Sequence, residues 1–167
     1  MRYVFLVLSA ILLVAPSCWA GGRIATVTNE PLSHRCEFRG DAMVLTVSDA
    51  GHESILHRYC SPVGKGAASI ETDVRGQDFL LLTSTEGHVT NAWTDYLTVY
   101  RLNDRLAEVR RLKISDGAGL TARWTYGYVI RRPQRGGLIL ALTLRVDGND
   151  VDPSAIPHRR ELAVLIE

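Results

Sequence analysis

Apolar and polar side chains alternate with a period of two along the C-terminal third of this 167-residue chain. No other feature constrains its fold as much. Leu120, Ala122, Trp124, Tyr126, Tyr128 and Ile130 form one face, opposite Thr121, Arg123, Thr125 and Arg131. From Leu138 to Val146 every even position is large and apolar. Successive side chains of an extended strand point to opposite sides, so such a run is a half-buried strand. Shorter runs of the same kind are Ile24–Thr28, Met43–Ser48, Ser54–Tyr59, Ala68–Val74, Phe79–Ser84, Asp95–Leu102, Leu106–Ile114 and Glu161–Ile166. Gly, Asn, Asp and Pro separate most of them, as turns require. Helix signals are nearly absent beyond residue 20, and the expectation is an all-β protein.

A weak repeat runs through these strands. Arg39-Gly40, Arg75-Gly76 and Arg135-Gly136 each precede an apolar strand, followed by a polar loop and another strand. Repeated antiparallel meander units of this size predict a small or incomplete β-propeller-like arrangement. The alternative is a β-sandwich or barrel in which Arg-Gly is only a common turn pair.

Residues 1–20 read as a secretory signal. Arg2 gives a positive start, Tyr3 to Val14 is apolar, and Ala20 precedes Gly21-Gly22 at the expected cleavage point. A membrane anchor would need a longer apolar run, and lipid attachment at Cys18 would need a large aliphatic residue where Ala15 stands. The expected mature chain, residues 21–167, forms one domain in the periplasm with no membrane span. It keeps Cys36 and Cys60, and a pair of cysteines in an oxidising compartment predicts one disulfide. Such a bridge, closing a loop of roughly 25 residues, contributes about 2–4 kcal/mol.

Charge gives no reason to expect nucleic acid as a partner, because 19 basic residues face 18 acidic ones. Its distribution is uneven, however. Arg101 to Arg135 holds nine basic residues against Asp104, Glu108 and Asp116, whereas Gly66 to Tyr100 holds five acids against Arg75 alone. Neighbouring strands can pair these stretches, or they can form complementary patches for a partner protein.

Catalytic signatures are tested and set aside. His52 and His57 are five apart, not the four that a helical zinc motif needs. Asp147 to Asp152 lacks the spacing of a calcium loop. With no phosphate-binding glycine loop or nucleophile elbow either, no enzyme activity, metal or cofactor is expected. Two polar stretches remain as candidate binding loops. The first is Thr83 to Thr94, with Ser84, Glu86, His88, Asn91 and Trp93 as contact residues. The second is Ser115 to Gly119, with Ser115, Asp116 and Gly117, and Arg123 nearby as part of a charged rim. Extra loop length on a rigid sheet is a common carrier of binding. A small-ligand or envelope-component module is the alternative, with Trp93, Tyr126 and Tyr128 lining an aromatic pocket.

A signal, one small β domain, blade-like Arg-Gly units and two polar loops together give a profile that resembles the periplasmic immunity proteins of type VI secretion amidase effectors. The resemblance implies a propeller-like inhibitor that binds a secreted peptidoglycan-degrading amidase, occludes its active site and so protects the cell from the toxin. It assigns no individual residue.

Overall fold

The computed structural model describes residues 23–29, 41–49, 52–61, 66–87, 92–103, 106–118, 121–147 and 153–167. The stretch read as an export signal, Cys36, Arg39-Gly40, His88, Asn91 and most of the Asp147–Asp152 segment lie outside these residues. Among the described residues ten strands follow one another: β1 (Ile24–Asn29), β2 (Asp41–Asp49), β3 (His52–Ser61), β4 (Gly66–Thr72), β5 (Asp78–Gly87), β6 (Ala92–Leu102), β7 (Leu106–Ala118), β8 (Thr121–Arg131), β9 (Leu138–Val146) and β10 (Glu161–Ile166). A short 3-10 turn, Pro153–Ala155, precedes the last. No described helix is long and apolar enough to cross a membrane.

Each expected strand is present, but the strands do not form blades. β1-β2-β3 make one antiparallel sheet, and β4 to β10 make a second in strict sequence order. The propeller-like expectation is therefore wrong. A blade boundary needs a break in the hydrogen-bond ladder, and β4 to β10 have none. Arg75-Gly76 lies in the β4–β5 turn and Arg135-Gly136 in the β8–β9 turn of this one sheet. Nor does the sheet close into a barrel, since β4 and β10 are its edges and do not pair.

The expected Cys36–Cys60 bridge falls on Cys36 and on the Cys60 side chain, which lie outside what is described. No disulfide exists among the described residues; of Cys60 only the backbone is described, in β3 opposite Ala42. What joins the β1–β3 sheet to the rest is apolar packing. Phe79-Leu80-Leu81-Leu82 in β5 is buried on both faces, as its unbroken apolar run requires. Phe79 and Leu81 enter one cluster with Leu97, Val99, Ile114, Trp124, Tyr126, Leu138, Leu140, Leu142 and Ile166. Leu80 and Leu82 enter another with Leu45 and Val47 of β2 and Tyr100 and Leu102 of β6. The larger cluster draws on β5 at one side of the sheet and β10 at the other, so the long sheet curls around it.

Two hairpin turns hold that curl. Asp73 accepts hydrogen bonds at Oδ1 from the amides of Arg75 (2.8 Å) and Gln77 (2.9 Å), closing the β4–β5 turn. Its Oδ2 accepts the Gly137 amide across the sheet end at 2.5 Å. These bonds, Gly137 foremost, hold the Asp73 carboxyl below its ordinary pKa. Arg132 of the β8–β9 turn donates from Nε to the Thr72 carbonyl (2.9 Å) and pairs with Glu71.

Candidate functional site

Four of the candidate residues, Ser115, Asp116, Gly117 and Arg123, lie where β7 meets β8. Strand β7 pairs with β6 along its whole length, but with β8 only from Ser115 to Ala118. From Tyr126 onward β8 pairs with β9 alone. The ladder between the two strands therefore opens like a V, a cleft in the pairing with one open edge on Leu106–Ile114 and another on Tyr126–Arg131. Backbone groups along such edges are unpaired within the sheet and can accept another strand. Val109, Leu112, Tyr128 and Ile130 are partly buried against the main core along this opening.

Sequence reading places Ser115–Gly119 in a narrow loop able to enter a cleft. The structure places Ser115, Asp116 and Gly117 in β7 instead, with Ser115 buried. They form the clasp at the apex of the V. Ser115 Oγ donates to the Trp124 carbonyl at 3.1 Å and lies 3.0 Å from Thr125 Oγ1. Asp116 accepts from Thr94 Oγ1 at 3.1 Å, pairs with Lys113 Nζ at 3.1 Å and has Arg123 at 3.8 Å. Small and polar residues here serve a tight cross-strand network, and the register slips on both sides of it: β7 carries Ile114 as an extra residue opposite Asp95/Tyr96 of β6, and β8 carries Arg123 as an extra residue opposite Asp116/Gly117 of β7, irregularities that bend strands locally.

The other candidate stretch is also mostly strand. Ser84 and Glu86 belong to β5 and Trp93 to β6, and residues 88–91 between them lie outside the described residues. Glu86 pairs with Arg111, whose guanidinium lies 4.1 Å above the Tyr96 ring. The acidic and basic stretches thus partly neutralise each other across strands, through Glu86–Arg111 and Glu71–Arg132. Among the described residues, Arg110 and Arg131 make no such pair, and both are exposed beside the open edges.

Of the residues expected to line an aromatic pocket, Tyr126 is buried in the core and Tyr128 packs partly buried against it. Trp124 and Tyr126 pack edge-on at 5.8 Å inside the core, and Tyr126 donates its hydroxyl to the Arg159 carbonyl at 2.6 Å. His57 stacks on Tyr59 at 5.9 Å. Among the described residues no three His, Cys, Asp or Glu side chains converge to hold a metal ion. The cleft escaped sequence reading because strand divergence leaves no mark in the alternation of either strand. Its one sequence trace is the crowding of arginines on both. No family model, curated protein or solved structure matches this chain.

Proposed function

We propose that this protein is a binding module that captures an extended, acidic segment of a protein partner in the cleft between β7 and β8. The carrying observation is the parting of these strands beyond Ser115 and Thr125, which exposes two strand edges side by side. Main-chain hydrogen bonds to such edges supply affinity, while side-chain pockets and charge supply selection. Arg110 and Arg131 favour an acidic partner and speed its approach. The clasp at Ser115, Asp116 and Arg123 keeps the cleft preformed, which lowers the ordering cost of binding. In its finer form the proposal makes the partner a secreted peptidoglycan amidase and the protein its periplasmic immunity factor. The strand taken up here would hold the amidase with its active site covered.

The experiment pairs the full chain with the Cys–His amidase encoded beside it, if one is, and measures peptidoglycan cleavage and affinity. Inhibition that disappears in the Arg110→Glu/Arg131→Glu variant, with its melting temperature retained, supports the proposal. Equal inhibition by that variant, with no gain in amide protection along Leu106–Ile114 on complex formation, refutes the cleft. Absence of any inhibition refutes the amidase assignment.

A further inference from the structure

Two of the Arg-Gly turns that the sequence sets 60 residues apart come together in space. Between them, at the sheet end where β4–β5, β8–β9 and the end of β10 meet, lies an open hollow of about 680 Å³. Arg75, Arg101 and Arg135 reach it from three different parts of the sheet. The volume lies within the roughly 300–1,000 Å³ common for small-ligand sites.

Three details make this more than a chance meeting of surface arginines. Gly136 has φ +84°, and a β-carbon there would fall 2.6 Å from Cδ and 2.8 Å from Nε of Arg75. Only glycine lets the Arg75 side chain lie across the second turn. Asp73, the acid at the base of the hollow, already has both carboxylate oxygens occupied by backbone amides. Its charge is felt by Arg75, but with its lone pairs so engaged it makes no direct ion pair with a guanidinium among the described residues, which leaves the arginine donors open. Arg101 is fixed by donating to the Glu167 carbonyl, while Arg75 and Arg135 have no ion-pair partner among the described residues. Glu167 is the remaining acid at the rim.

We propose that this hollow is a binding site for a small organic oxyanion, held between the Arg75 and Arg135 guanidiniums with Arg101 behind them. Guanidinium forks match the paired oxygens of phosphate and carboxylate groups alike. Arginines on opposite sides of the hollow suit a ligand with two or more such groups.

Calorimetric titration of the full chain at fixed ionic strength tests it, with inorganic pyrophosphate as the phosphate probe and citrate as the carboxylate probe. Saturable binding of either is expected, and the tighter one identifies the ligand class. Arg75→Gln and Arg135→Gln should each weaken it about tenfold or more. Arg145→Gln, an exposed arginine outside the hollow, should leave it unchanged. The proposal is overturned if neither probe saturates by about 10 mM. It is equally overturned if the Arg75→Gln/Arg135→Gln variant binds as tightly as the unaltered protein, or if Arg145→Gln weakens binding as much.

Discussion

Leu80 and Leu81 are adjacent in β5 and nearly inaccessible, at 0% and 2% exposure, yet they belong to different cores. Truncating each to alanine asks whether the β1–β3 sheet is as firmly packed as the curl of the long sheet. Leu→Ala removes three carbons, worth about 0.8 kcal/mol each in transfer. The residual cavity raises the loss to about 3–4 kcal/mol. In urea, with a slope of about 2 kcal/mol per M, either variant should unfold roughly 1.5–2 M earlier, in one transition. The structure requires similar losses, because each leucine is enclosed. If Leu80→Ala costs less than about 1 kcal/mol while Leu81→Ala costs the full amount, Leu80 is not enclosed by the small sheet. A separate early transition in Leu80→Ala alone would show that the small sheet docks as an independent unit, and would refute the expectation that both cores unfold together.

Tyr59 is half-buried with its hydroxyl unpaired, and burial pushes its pKa up to about 12. Its folded pKa is raised, so its contribution to stability is full below the ordinary value of 10.0 and is lost as pH rises through about 12. Tyr59→Phe should change neutral stability by no more than about 0.5 kcal/mol and reduce alkaline destabilisation, read by denaturation at several pH values. Asp73 behaves in the opposite sense. Its folded pKa is depressed, so stability is full above the ordinary 3.8 and is lost as pH falls through the lower folded value; Asp73→Asn should flatten the acid limb of the same curves. Gly137→Ala combines φ +73° with a β-carbon driven into the Ile166 carbonyl, and should cost about 2–4 kcal/mol. Gly127→Ala, in mid-strand with open space around it, should be neutral or stabilise by up to about 1 kcal/mol, as thermal melts will show.

Strand identity was legible because burial on one face writes itself into alternation. Leu138–Val146 and Glu161–Ile166 have the bounds that their patterns predict. Sheet membership was not legible, because an Arg-Gly turn looks the same inside a meander as between blades. Ser115–Gly117 was misread as loop because small residues are usual there; its strand character depends on Asp95, Trp93 and Thr125 across the ladder. Likewise Glu71–Arg132 and Asp73–Gly137 join residues more than 60 positions apart, and nothing local announces them. Asp73 did leave a signal: an aspartate two residues before Arg75 and three before a glycine is the pattern of a side-chain-closed turn.

The double burial of β5 also bears on how the chain avoids self-association. Phe79-Leu80-Leu81-Leu82 is the kind of short, uncharged, strand-prone segment that stacks with copies of itself when exposed. In the folded protein β6 and β4 occupy its edges, while a separate core covers each face. Loss of the β1–β3 sheet would uncover Leu80 and Leu82 but leave Phe79 and Leu81 enclosed. That small sheet therefore shields one face of this segment from other copies of the chain, and damage to it should appear as turbidity before it appears as lost secondary structure.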